Sequence, residues 1–288
     1  MIDKANLSVK YRKYFKTYEQ AKLLSVLRSV KYNAEIKHMQ KCFERTDEVI
    51  SAVYKEVKDR KFREAELFDF VNEKFKDFGA VDNSFKTILA SGKNTSVVHF
   101  SHPTERKIKD GDFVLLDCGG FYEGGYATDI TRTFVIGNKP DTEQKKIYTL
   151  VLKAFLNAYN TDLTKYKTCF EIDKAARDFL DKYKAEGYNF GHGLGHSVGR
   201  CVHDGLPTVS FSPLAKMKIK KNMVFTIEPG LYKPNWGGVR LENTIHVVKE
   251  DGKLKFKSFS KAPFQKCLID FSMLTNKEKI YLKEWELI

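Results

Sequence analysis

Four acidic side chains lie where acids are rarely found. Asp117 ends the run VLLD, Asp129 opens DITRTFVI, Glu228 ends VFTIE and Glu242 lies within RLENTIHVV, so each is embedded in apolar, strand-like sequence. Taking an unpaired carboxylate out of water costs several kcal/mol or forces it to bind a proton, so acids in such places call for a cation. Two sources are open. Arg132 and Arg240 each fall within three residues of an acid and could form a buried ion-pair network; bound metal is the other.

The segment GHGLGHSVGRCVHDGLP adds His192, His196 and His203, interleaved with Gly193, Gly195 and Gly199. A lone histidine there would read as a packed or surface residue. Three of them among glycines, which let backbones approach closely, point to a crowded site. H-E-x-x-H is absent, so this is not a zincin helix. An imidazole with four carboxylates is a nitrogen and oxygen ligand set, suited to Mn²⁺, Co²⁺ or Zn²⁺ and poor for copper(I) or iron–sulfur. Five ligands exceed the four of a tetrahedral ion, so two ions sharing carboxylates is the natural arrangement.

The elements that must position these groups fall into runs. Three helical stripes come first: Leu23, Leu24, Leu27 and Val30; Ile36, Met39, Phe43, Val49, Ile50 and Val53; then Leu67, Val71, Phe75 and Phe78, closed by Gly79. Strand texture follows in FKTILASG, DFVLLDCGG and ATDITRTFVIG. Two further helices carry Ile147, Val151, Phe155 and Ala158, and Ile172, Ala175, Phe179 and Tyr183. MVFTIEPGLY, GVRLENTIHVV and KLKFKSF then read as strands, and a short helix around Glu278 to Glu286 ends the chain. Grouping of this kind argues α+β rather than a doubly wound sheet. Each strand block reads as a hairpin with an acid on either strand, twelve positions apart in one and fourteen in the other. That likeness predicts a pseudo-duplicated antiparallel core on which four carboxylates converge.

Composition narrows the class. The 288 residues are 42% hydrophobic and 13% aromatic, enough for a real core. No apolar run reaches the length of a membrane helix, and the N-terminus lacks a signal-peptide core, so a cytoplasmic location is expected. Cys42, Cys118, Cys169, Cys201 and Cys267 are scattered without a C-x-x-C pair, which implies neither a disulfide framework nor a thiolate zinc site. The net charge of +13 raises a nucleic-acid partner, but its one dense cluster, Lys216, Lys218, Lys220 and Lys221, reads as a solvated strand edge.

The series LLDCGGFYEGGYATDITRTF, HGLGHSVGRCVHD, FTIEPGLY and GVRLENT resembles the metal-binding motifs of the creatinase/aminopeptidase superfamily of pita-bread metallopeptidases. The resemblance covers about Leu27 to the C-terminus and is nearest to the Xaa-Pro aminopeptidases, with the prolidases next. It implies a pita-bread fold with helices on the outer face of the sheet, and a dinuclear centre of Asp117, Asp129, His196, Glu228 and Glu242. Asp129 and Glu242 would bridge two divalent ions, Mn²⁺ foremost. His99, His192 and His203 match active-site histidines, while Arg240 and Tyr232 match groups that orient Asp117. The implied substrates are peptides with proline in second position, and a homodimer is left open. Three departures qualify the likeness. Asp129 follows Asp117 by twelve positions where eleven is usual, Asn243 stands in place of an Asp, and Asn222 in place of a Gly. Proline-specific members also carry an N-terminal domain, so residues 1–26 are expected to be a lead-in or the remnant of a domain junction, and residues 27–288 the catalytic domain. A prolidase, or an inactive pita-bread binding module, is the alternative; retention of all five ligands argues against the module.

Overall fold

The computed structural model describes residues 2–3, 17–18, 21–183, 185–285 and 287. Helices α1 (Ala21–Arg28), α2 (Asn33–Asp59) and α3 (Glu64–Asp77) precede an antiparallel sheet of β1 (Ile88–Ser91), β2 (Phe113–Cys118) and β3 (Ile130–Val135), with β2 central. Val49, Ile50 and Val53 of the α2 stripe and the whole α3 stripe cover the sheet face carrying Val114, Leu116, Cys118, Ile130 and Phe134, while Met39 and Phe43 pack with Val198, Val224 and Phe259. Gly79 ends α3 with φ +85°. Next come α4 (Thr142–Tyr159) and α5 (Cys169–Tyr183). Asp141 and Gln144 start α4 by reciprocal side-chain to backbone hydrogen bonds of 2.7 and 2.9 Å. The strands β4 (Val224–Ile227), β5 (Gly230–Lys233), β6 (Gly237–Arg240), β7 (Asn243–Glu250) and β8 (Lys253–Ser258) follow, and α6 (Asn276–Tyr281) comes last. β7 lies between β4 and β8, β5 pairs with β6, and α4 packs on Phe225, Ile227, Leu241, Ile245 and Val247.

Register explains how the acids meet. In the first hairpin Asp117 lies opposite Thr131, and the same register runs from Phe113 opposite Val135 out to Phe121 opposite Ala127. Asp129 is two residues from Thr131 and therefore shares the face of Asp117. The long spacing between the two acids is taken up at the tip, where Gly124 and Gly125 adopt φ +88° and +69°, without a bulge in the ladder. In the second hairpin Ile227 opposes Asn243 and Gly230 opposes Arg240, so a single register sets Glu228 against Glu242. Pro229, which has no amide proton, interrupts the ladder there. The hairpins join edge to edge: Glu242 N donates to Thr131 O (3.1 Å), and Thr133 Oγ1 exchanges hydrogen bonds with the Arg240 backbone. The carboxylates thus alternate with the apolar residues that face the helices.

Three local expectations need correcting. The α1 stripe is not core: Leu24 is 52% and Leu27 65% exposed, and the side chain of Leu23 lies outside the described residues. What ties this end down is polar, because Lys31 and Asp204 form a buried ion pair at 2.9 Å, joined by Arg28. In α5 the buried face is Ile172, Asp173, Ala176 and Leu180, one step round from the expected stripe, while Tyr183 is 44% exposed. The lysine cluster is solvated as expected, but it lies on a 3₁₀ turn and an extended lead-in rather than along a sheet edge. Asn222 adopts φ +66°, which asparagine tolerates in place of glycine, and its amide donates to Lys31 O (3.0 Å) and Asn33 Oδ1 (2.8 Å).

Candidate metal centre

The histidine segment is held between α5 and β4. Arg177 donates to Phe190 O (3.0 Å) and to His192 O, while Asp173 accepts from Leu194 N (3.1 Å). Gly195–His196 pairs with Thr208–Val209, and Ser197 bridges to Phe225. Two of the three glycines are required: a Cβ on Gly195 would lie 1.9 Å from Thr226 O, and one on Gly199 would lie 2.2 Å from Asp204 Oδ2. At Gly193 the nearest atom would be at 3.4 Å, an ordinary contact.

This packing brings the sequence-predicted acids and histidines to one cavity of about 300 Å³, lined by Asp117, Asp129, Glu228, Glu242, His99, His192, His196, His203 and Arg240. Donor atoms of Asp129, His196 and Glu242 all lie within 4.8 Å of one another. His196 Nε2 is 3.3 Å from Asp129 Oδ2 and 3.5 Å from Glu228 Oε1, while its Nδ1 faces Ser197 O at 3.3 Å. A backbone carbonyl on one ring nitrogen leaves the other as the ligating atom. The His203 ring lies 4.1 Å from that of His196, tilted by 45°, and, like His99, is exposed at the rim.

Arg240 organises the opposite wall. It donates to Asp117 Oδ2 (2.7 Å), to the Tyr232 hydroxyl (2.8 Å) and to Thr131 Oγ1 (3.2 Å). Tyr232 reaches Asp117 only through Arg240, and its hydroxyl lies 2.8 Å from His192 Nε2. The Gly193 carbonyl can only accept, so His192 Nδ1 carries the proton (2.8 Å) and Nε2 accepts from Tyr232. The second arginine behaves differently. Arg132 is fully buried and bonds only neutral oxygens: the carbonyls of Thr131, Glu242, Ala262 and Pro263 and the Asn243 amide oxygen (2.8 Å). The ion-pair explanation therefore accounts for one oxygen of Asp117, leaves Asp129 and Glu228 to His196, and gives Glu242 no cation among the described residues.

Electrostatics expresses that shortage of positive charge. Burial raises Asp129 to about 6 and Glu228 to about 7; burial and its acidic neighbours hold Glu242 well above the usual range. Burial alone would lower His196, but its hydrogen bond to Asp129 and the charge of Glu228 carry it up to about 9. Burial lowers His192 to about 3 and His203 to about 4, aided by the charges of Arg240 and His196 respectively. Asp117 Oδ1 is buried without a hydrogen-bond partner. An orphan carboxylate oxygen, acids pushed toward protonation and a histidine serving as the local cation are what a divalent-ion site presents when its charge is balanced by protons. The residues fit the group.

Sequence reasoning missed two sets of residues. Phe85, Ile88, Val98 and Val202 supply an apolar side to the cavity, and nothing in the sequence separates them from core. Thr131 donates to Glu242 Oε2 (2.6 Å) and accepts from Arg240, a role that its place opposite Asp117 in the hairpin could have suggested.

Comparison with known proteins finds metallopeptidase relatives. The family model of Metallopeptidase family M24 matches residues 37–249. The Xaa-Pro dipeptidase of Pyrococcus horikoshii is 37% identical over 79% of this chain and 62% of its own length. For the putative Xaa-Pro aminopeptidase of Mycoplasma genitalium the values are 36%, 82% and 65%. The chain thus spans a little over three fifths of those curated relatives. Among solved structures, the prolidase from Pyrococcus furiosus aligns with a TM-score of 0.78 at 32% identity, covering 89% of this chain and 74% of that one. An X-prolyl aminopeptidase from Caenorhabditis elegans, described as a cytosolic enzyme with a di-nuclear active site, gives 0.80 at 28%, covering 90% and 44%.

Proposed function

The chain belongs to metallopeptidase family M24, and from that premise we propose that it is a dinuclear metal-dependent aminopeptidase cleaving between an N-terminal residue and a following proline. The observation that carries this reading is the convergence of Asp129, His196 and Glu242 between Asp117 and Glu228 in one cavity. Asp117, Asp129, His196, Glu228 and Glu242 are the residues that would hold two divalent ions. Mn²⁺ is the metal proposed, and the two hairpins are read as halves of a duplicated pita-bread sheet. Bound ions supply an acidified water and Lewis-acid stabilisation of the scissile carbonyl oxygen.

The chain's own residues do the rest. Glu228, one oxygen held by Thr226 Oγ1 at 3.2 Å, takes the proton of the attacking water and returns it to the leaving proline nitrogen. His203 and His99, at the rim, donate to the carbonyl oxygen as it gains charge. The Arg240, Tyr232 and His192 relay keeps His192 neutral and fixes Asp117. Phe85, Ile88, Val98 and Val202 form the side that receives the proline ring, whose fixed φ and missing N–H distinguish it from other residues.

An aminopeptidase is favoured over a dipeptidase by the cavity wall. Among its described residues the one guanidinium or ammonium group is Arg240, already engaged by Asp117 and Tyr232, so a dipeptide's proline carboxylate would find no dedicated cation. The relatives carry both names, and the test is direct: Mn²⁺-loaded protein should hydrolyse Xaa-Pro-Yaa peptides faster than Xaa-Pro dipeptides. The reverse preference would make it a prolidase.

A further inference from the structure

Glu64, in the first turn of α3, lies outside the candidate centre and is fully buried. Its carboxylate is saturated by a single loop. Oε1 accepts from Ser91 N (2.7 Å), Ser91 Oγ (2.7 Å) and Asn94 Nδ2 (3.0 Å), and Oε2 accepts from Thr104 N (3.1 Å) and Thr104 Oγ1 (2.6 Å). Ser91 and Thr104 bracket residues 92–103, whose middle brings Val98 and His99 to the cavity. The α3 backbone closes the same clamp, because Glu64 N donates to Arg106 O and Ala65 N to Thr104 O. On its far side the loop meets the candidate centre: Gly238 N donates to Thr95 Oγ1 (2.7 Å) and Arg240 to Val98 O (3.4 Å). The His99 ring is exposed at the rim and takes its place from the loop backbone.

A carboxylate is expensive to bury, and an exposed first-turn glutamate would serve α3 equally well through the helix dipole. Burying this one binds both ends of the loop to a rigid helix, restricting the freedom of everything between them. We propose that Glu64 is a positioning residue: it holds the 92–103 loop so that His99 and Val98 meet the substrate. The proposal rests on the proposed role of His99 as a substrate-contacting group.

The test is Glu64→Gln, which replaces one acceptor oxygen with an amide that faces the loop's donors. Hydrogen–deuterium exchange on the metal-free protein reads the clamp without reference to activity. Amides of residues 92–103 should exchange at least about tenfold faster, with β2 and β3 unchanged. On Mn²⁺-loaded enzyme, Glu64→Gln should lower kcat/KM about tenfold, by misplacement of His99, but less than about twofold when His99→Ala is already present. Equal losses in both backgrounds, or unchanged exchange in the loop, would overturn the proposal. If Glu64→Gln does not fold, Thr104→Val removes one clamp donor and goes through the same cycle. Absence of any Xaa-Pro hydrolysis by the unsubstituted protein would count against the peptidase reading, and loop exchange would still decide the clamp.

Discussion

Metal binding should expel protons, and the structure sets how many. At pH 7 His196, at about 9, arrives charged, while burial and its acidic neighbours hold Glu242 well above its usual range. Glu228, at about 7, is half protonated and Asp129, at about 6, mostly ionised. An ion needs the neutral imidazole and the carboxylates, so binding at pH 7 should release about one proton from His196 and about half a proton from Glu228, and any that Glu242 holds in addition. The apparent affinity should then rise at least about thirtyfold per pH unit near 7, and more shallowly above pH 8, where Glu228 and Asp129 are already ionised. Calorimetric titration with Mn²⁺ in buffers of different ionisation enthalpy measures the count as a slope. His196→Ala should cut it by about one proton. A slope near zero in the unsubstituted protein, or the same slope without His196, would refute the reasoning.

Other consequences can be checked on stability. His196 is raised from 6.5 to about 9 in the folded metal-free protein, so its contribution is complete below pH 6.5 and lost as pH climbs through 9. Metal-free protein should therefore lose about 3 kcal/mol of unfolding free energy between those limits in urea titrations, and His196→Ala should flatten that fall. Asn243→Asp would give buried Arg132 a carboxylate and remove the unpartnered Asn243 Nδ2, so the melting temperature should rise by a few degrees, about 1–2 kcal/mol; a drop would count against the account of Arg132. Asp204→Asn breaks the buried pair with Lys31 beside His203 and should cost about 3 kcal/mol, measured by denaturant unfolding; a loss under about 0.5 kcal/mol would mean the pair holds nothing.

Much of the centre was legible because its acids break a rule. Asp117, Asp129, Glu228 and Glu242 stand out from apolar strands, and hairpin spacing was enough to predict that they converge. The glycines around His196 signalled crowding for the reason seen at Gly195 and Gly199, though not at Gly193. What the sequence hid was long-range. Glu64 looks like an ordinary first-turn acid because its partners lie 27 to 40 positions away. Val98 and Val202 look like core because an apolar cavity wall and an apolar core have the same composition. The stripe of α1 misled because periodicity reports a face without saying whether anything covers it. Tyr232 was matched to Asp117, which its hydroxyl reaches through Arg240; its second contact, with His192, depends on side-chain geometry alone.

The central claim is a metal centre built on shared carboxylates that cleaves before proline. Hydrolysis of an Xaa-Pro-Yaa peptide by Mn²⁺-loaded protein, compared with Asp129→Asn at matched folding by circular dichroism, tests it most directly. Metal-dependent cleavage by the unsubstituted chain is expected, with a loss of at least about a thousandfold in the variant, whose fold stays intact. Undiminished cleavage by Asp129→Asn would contradict it.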